Sequence, residues 1–211
     1  MTITTLFDNN AAWAAQVEAE DPGFFRRLGQ QQAPEYLWIG CADSRVPANQ
    51  IVGLAPGELF VHRNVANLAL PTDLNMLSVL QFAVQYLQVR HVIVTGHYGC
   101  GGVQAALRRV ELGLIDNWLQ PLRAIAEANA DTLAALDGEA ARVNRLCELN
   151  VVQQTRNVAA TPIVQQAWRA GRALSVHGWI YALSDGRLRD LGCTVDGPEQ
   201  LEPAQRMQAG A

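Results

Sequence analysis

Tyr36-Leu37-Trp38-Ile39-Gly40-Cys41-Ala42-Asp43-Ser44-Arg45-Val46-Pro47 is the stretch from which the fold is read. A short continuous apolar run ends in a cluster of polar residues, the pattern of a strand buried on both faces that delivers chemistry at its C-terminal end. Similar runs recur at 58–62, 91–95 and 174–181. Between them lie helical patterns: Leu74, Leu77, Val84 and Leu87 recur at helical spacing, 103–110 follows a glycine cluster, and 117–157 is long and alanine-rich. Thr161-Pro162 breaks that long region and starts another helix running to about 170. Strands alternating with helices predict an α/β fold with a mostly parallel central sheet flanked by helices. Two final strands, 174–181 and 188–195, flank Ser184-Asp185-Gly186 and predict a C-terminal hairpin.

Upstream of the first strand, Asp8 is placed to cap a helix over 9–20, and Pro22 to open a second short one. Trp13, Phe24 and Phe25 need burial, so this N-terminal helical arm is expected to pack on the main domain or on a partner subunit. Neither repeats nor a long linker divides the chain. The expectation is one domain, with an arm over 1–34, a catalytic core over 35–197 and a loosely ordered tail over 198–211.

Composition agrees with that outline. The chain has 211 residues, 49% hydrophobic and 17% charged, enough to bury a core and far from disordered or membrane-spanning compositions. Sixteen basic against twenty acidic residues give a net charge of −4, so there is no global field for nucleic acid or anionic lipid. Arg108-Arg109 is too short a basic run to change this. The N-terminal residues lack a basic run followed by a long apolar core, which predicts a soluble, unexported, cytoplasmic protein. Cys41, Cys100, Cys147 and Cys193 are widely spaced, and in a reducing compartment they are expected as thiols or metal ligands.

In an α/β sheet, ligands collect beyond the carboxyl ends of strands. One predicted strand end here carries Cys41 and Asp43, another His97 and Cys100. Side chains alternate along extended chain, so Cys41 and Asp43 share a side; His97-x-x-Cys100 places imidazole and thiolate in one turn. Two sulfurs and a nitrogen suit tetrahedral zinc with a fourth position to be settled. Either cysteine alone reads as an ordinary buried thiol, and Asp43-x-Arg45 alone as a strand-end salt bridge; the joint occurrence favours the metal. Gly96, Gly99, Gly101 and Gly102 also suit a phosphate loop, but the lysine and Ser/Thr of a P-loop are missing, and turns around a metal account for them better. Cys147, Cys193, His62, His91, His177, Trp118 and Trp168 read as structural.

Three blocks, 41–47 (CADSRVP), 62–67 (HRNVAN) and 96–102 (GHYGCGG), resemble in sequence and order the signature blocks of the β-class carbonic anhydrases. That resemblance implies Cys41, His97 and Cys100 as ligands of Zn2+ and Asp43 with Arg45 as the catalytic dyad. It also implies reversible hydration of carbon dioxide to bicarbonate and assembly as a homodimer or dimer of dimers. Two thiolates and a neutral imidazole leave zinc formally neutral, so activity is expected to climb toward alkaline pH. Asp43 either closes the site as a fourth ligand or, held by Arg45, orients the attacking oxygen. Val65, Phe82, Tyr86, Gly101 and Gly102 are candidates to line the substrate pocket.

Trp38, Arg63 and Tyr181 further resemble a bacterial subclass in which these residues bind a non-catalytic bicarbonate and favour the closed form, inactive at low pH. An indole N–H, a guanidinium and a phenol O–H are all donors that a small oxyanion uses. Two other readings keep the same fold: a catalytically idle zinc- or bicarbonate-binding protein, and a hydrolase of a carbon dioxide analogue such as carbon disulfide.

Overall fold

The computed structural model describes residues 2–30 and 32–207. Strands β1 (Tyr36–Cys41), β2 (Leu59–Asn64), β3 (His91–His97) and β4 (Ser175–Ala182) run parallel, and β5 (Arg187–Asp190) pairs antiparallel with β4, in the order β2-β1-β3-β4-β5. The helices are α1 (Ile3–Glu20), α2 (Phe24–Leu28), α3 (Ala48–Val52), α4 (Leu74–Gln81), α5 (Gly101–Arg108), α6 (Ile115–Ala128), α7 (Ala130–Ala134), α8 (Glu139–Ala159) and α9 (Pro162–Arg169). Because β1 is joined to β2 on one side and flanked by β3 on the other, the topological switch point lies between β1 and β3.

One sheet face carries the main core, with Leu37, Ile39, Val92, Val94, Val176 and Ile180 packed against buried helix residues such as Leu80, Leu122, Leu146 and Val151. The other has a thinner cover, where Trp38, Leu59 and Ile93 meet Ala48 and the half-buried Val52, Leu54 and Trp179. β1 is therefore buried on both faces along nearly its whole length, whereas β4 alternates buried and half-buried residues.

Several boundaries differ from the sequence expectation. α1 starts at Ile3 with Thr2 as its N-cap, so Asp8 lies inside the helix instead of capping it. α2 begins at Phe24, because Gly23 occupies a left-handed conformation after Pro22. The stretch 117–157 is not one helix: it breaks at Asn129 and again at Gly138, whose φ of 80° removes it from helical geometry. The hairpin turns where expected, with Gly186 N–H donating to Ala182 O at 2.9 Å, but β5 is short. Gly192, with φ 64°, turns the chain after it, and Val195 returns only as a bridge to Val176. The tail is anchored as far as it is described: Leu201 is buried, Gln165 Nε2 donates to Gln205 O at 2.8 Å, and Met207 N–H donates to Gln165 Oε1 at 2.7 Å. The remainder of the expected tail, 208–211, lies outside the described residues.

α8 sits unusually close to the sheet, and glycines permit it. A Cβ at Gly178 would stand 2.3 Å from Cys193 Sγ and 2.7 Å from Thr155 Oγ1; one at Gly96 would stand 2.6 Å from Val151 Cγ2. Gly178→Ala is expected to lower stability by about 1–3 kcal/mol through overpacking, read as a reduced denaturant midpoint at unchanged slope.

Candidate metal centre

Cys41 closes β1 and His97 closes β3, so the switch point brings them together, and the turn after β3 returns Cys100 to the same place at the start of α5. All three are buried, and their ligand atoms lie within 4.8 Å of one another; among the described residues they form the one cluster of three or more metal-type ligands. Cys41 Sγ and Cys100 Sγ are 3.9 Å apart, against about 3.8 Å for two sulfurs each about 2.3 Å from a tetrahedral zinc. His97 Nδ1 lies 3.1 Å from Tyr98 O, to which it donates, leaving Nε2 as the acceptor nitrogen. That buried Nε2 has no hydrogen-bond partner. A lone pair directed at two sulfurs and unsatisfied by protein is what a metal ligand requires, and the donor set fits zinc.

The sulfurs behave as an unequal pair. Cys41 is drawn well below the ordinary thiol range, first by the hydrogen bond from Cys100, with the backbone N–H groups of Asp43 and Ala66 adding to it against the opposing effect of burial. Cys100 is pushed far up by the same hydrogen bond and by burial. Cys147, on α8 behind them, is pushed up to about 12 by burial and approaches the backbone of Cys100 and Gly99. It is thus a neutral thiol supporting the turn, outside the ligand cluster.

Asp43 is gripped by Arg45: Nε donates to Oδ1 at 2.9 Å, Nη2 to Oδ2 at 2.7 Å, and the Arg45 backbone N–H to Oδ1 at 2.9 Å. The guanidinium holds the carboxyl well below the usual carboxylate range. Oδ2 nevertheless stands 3.7 Å from His97 Nε2, beside the ligand cluster. Arg63 reaches across from β2, its Nε donating to Cys41 O at 2.8 Å and its Nη2 to Asp43 O at 2.5 Å.

The other expected residues divide. Val65 lies against the turn, its Cγ1 3.0 Å from the Cβ position of Gly102, while the corresponding position at Gly101 opens onto free space. Phe82 and Tyr86 stack on each other, Phe82 also meeting Phe60 at a tilt, and both are exposed. Trp38 is fully buried with Nε1 unpartnered, its indole folded over Gly40. Gly40 pairs with both Arg63 and Thr95, and the Thr95 hydroxyl is likewise buried without a partner. Tyr181 pairs in register with His97, on the same sheet face as Trp38 and Arg63. Among the remaining histidines, His62 is buried beside Asn64, and His91 and His177 bond each other at 3.1 Å. Arg108 and Arg109 are engaged by Glu139 and Glu127.

Motif reading missed the side chains of α8 that reach the site. Tyr98 OH donates to Glu148 Oε1 at 2.7 Å, and Asn150 Nδ2 to Ala66 O at 2.9 Å. The sequence did carry a signal: Asn150 and Gln154, four apart, interrupt the helix face formed by Val143, Leu146, Cys147, Val151 and Val158.

Residues 36–188 match the family described as carbonic anhydrase. The chain is 46% identical to the carbonic anhydrase of Emericella nidulans over 202 residues, 96% of this chain and 88% of that one. It is 35% identical to that of Pseudomonas aeruginosa over 170 residues, 78% of this chain and 76% of that one. Among solved structures, a β-carbonic anhydrase of Aspergillus fumigatus superimposes with a TM-score of 0.90 at 42% identity, covering 96% of this chain and 95% of that one. A structure described as one of two tetrameric β-carbonic anhydrases from Sordaria macrospora gives 0.88 at 40% identity, covering 91% and 98%. With its three ligand atoms converging where β1 and β3 end, and with relatives matched over nearly its whole length, the chain belongs to the carbonic anhydrase family of enzymes, in its β class.

Proposed function

We propose that this chain catalyses the reversible hydration of carbon dioxide to bicarbonate and a proton, with zinc held by Cys41, His97 and Cys100. The observation that carries this reading is an Arg45-clamped Asp43 carboxylate standing 3.7 Å from the unpartnered His97 Nε2. Bound there, zinc supplies the Lewis acidity that acidifies water and so provides a nucleophile at moderate pH. Asp43, kept ionised by Arg45, is an obligate acceptor; it takes the hydrogen bond of the attacking oxygen and turns a lone pair toward the carbon. Arg45 fixes the carboxylate at three points and draws it away from the ligand cluster. Val65 and the two glycines after Cys100 offer a small apolar approach suited to a neutral linear substrate.

Stopped-flow hydration on protein of known zinc content tests the assignment. Wild-type activity is expected to rise toward alkaline pH, Asp43→Asn to lower kcat/KM on the order of 100-fold with zinc retained, and Cys100→Ser to lose the metal. Full zinc with no hydration at any pH would point to an idle zinc- or bicarbonate-binding protein, turnover of carbon disulfide alone to a hydrolase, and activity without metal would sink the mechanism.

The finer regulatory reading is that bicarbonate binds at Trp38, Arg63 and Tyr181 and favours Asp43 as a fourth ligand. Support comes from the unpartnered Trp38 Nε1 and from what Arg63 holds: the carbonyls of Cys41 and Asp43. Turning Arg63 toward an anion releases the segment that carries Asp43, which links occupancy to the position of that carboxylate. Trp38→Phe is expected to relieve inhibition by added bicarbonate; an unchanged inhibition curve refutes the switch.

Assembly as a homodimer or dimer of dimers is part of the same proposal, and surfaces the single chain leaves bare support it. α1 has no buried residue, with Ile3 and Phe7 74% and 76% exposed. The exposed Phe82 and Tyr86 are read as pocket lining completed in that assembly. In sedimentation at micromolar protein, Phe7→Glu is expected to shift mass toward the monomer, whereas a monomeric wild type contradicts the assembly.

No helix among the described residues is long and apolar enough to cross a membrane. Cytoplasmic residence is proposed from the four free cysteines.

A further inference from the structure

Ala66 and Asn67 are consecutive non-glycine residues in the left-handed region, with φ of 65° and 48°. Asparagine tolerates that conformation, but alanine has no side-chain compensation for the clash of its Cβ. Such a residue persists only where its surroundings over-determine it, and here they do. Trp118 Nε1 donates to Val65 O at 2.8 Å, and Asn64 brackets Leu68, accepting from its N–H at 2.8 Å and donating to its O at 2.7 Å. The deepest hold comes from α8. Asn150, 1% exposed, donates Nδ2 to Ala66 O at 2.9 Å. Its Oδ1 accepts from Gln154 Nε2 at 3.0 Å, and Gln154 Oε1 accepts from Ala69 N–H at 3.0 Å and from Asn157 Nδ2 at 2.9 Å. The chain from the half-buried Asn157 through the buried Gln154 and Asn150 to Ala66 is satisfied through its carboxamides, which fixes the direction of each.

The turn lies directly after Asn64, which pairs with Cys41. The Asn64 carbonyl accepts from Ala42 N–H at 2.8 Å, next to Cys41, and the Gly102 backbone, two residues past Cys100, comes so near that a Cβ there would stand 3.2 Å from Ala66 Cβ. We propose that Asn150 is a positioning residue for the metal centre: through Ala66 O it holds the strained turn, and so keeps that backbone in place against Cys41 and the Cys100 turn. This rests on the reading of Cys41 as a zinc ligand. Groups that fix the surroundings of a ligating side chain orient it, and loss of such support typically weakens a metal site 10–100-fold. α8 treats the other loop alike, Glu148 holding Tyr98, whose carbonyl sets the His97 tautomer.

Zinc-loaded full-length protein is challenged with excess chelator, well below each variant's unfolding midpoint, and first-order zinc loss is followed. Asn150→Ala is expected to speed loss on the order of tenfold and, in cobalt-substituted protein, to shift the thiolate-to-metal charge-transfer band. Adding Ala66→Gly to that variant is expected to return both toward wild type, because glycine adopts the left-handed conformation without a hold. If Asn150→Ala fails to fold, Asn150→Ser takes its place in the same pair of measurements. A lowered thermal midpoint with unchanged zinc loss and spectrum makes Asn150 an ordinary core residue and overturns the proposal. Faster loss that Ala66→Gly leaves uncorrected overturns it too, since the strained turn is then not the link. Wild-type protein that retains no stoichiometric zinc removes the reading of Cys41, and this inference with it.

Discussion

Two sulfurs 3.9 Å apart and screened from solvent cannot both carry charge unless a cation joins them. The hydrogen bond between them draws the Cys41 thiol down and drives the Cys100 thiol up, burial adding to the latter. The rest of the structure serves this constraint. Parallel strands end together, so β1 and β3 deliver a sulfur and an imidazole to one crevice, and the glycine-rich turn after β3 brings back the second sulfur at the start of α5. The Tyr98 carbonyl takes the other imidazole nitrogen, leaving the ring one function.

Asp43 shows how an acidic residue is kept beside such a site without closing it. Arg45 occupies both carboxylate oxygens, although its side chain is 59% exposed and the carboxylate only 16%. An exposed guanidinium is a clamp that solvent and ions contest, whereas Arg63 is tied to two main-chain carbonyls of the same segment. The position of the carboxylate is thus set by two arginines, Arg45 in the loop after β1 holding its side chain and Arg63 on β2 holding its backbone.

α8 joins core to site. It approaches β3 and β4 closely because Gly96 and Gly178 leave no side chain in the way. That closeness is what allows helix side chains of ordinary length to reach the loops around the Cys41–His97–Cys100 cluster, Glu148 at the Tyr98 hydroxyl and Asn150 and Gln154 at backbone atoms of Ala66 and Ala69. Close packing and buried polar contacts normally oppose each other; here every polar group in the chain from Asn157 to Ala66 finds a partner, so the helix pays no unsatisfied donor for lying so near.

The strands, the hairpin turn and the three metal-type ligands were legible in the sequence because they are local patterns: apolar runs, a turn tripeptide, and residues of matched chemistry at strand ends. Boundaries suffered where two signals competed, as at 117–157, where alanine-rich helix propensity hid the break at Gly138. The roles of Asn150 and Glu148 were not legible, since each acts on a backbone atom remote in the chain, and a backbone atom leaves no residue type to match. Sequence by itself determined the donor set and the order in which strands carry it, because these depend on side-chain chemistry and period. Only the tertiary structure decided that β1 and β3 are neighbours, that Asp43 rests on Arg45, and that Asn150 on α8 braces Ala66, 84 residues away in the chain, because those follow from close approach, which no local pattern encodes.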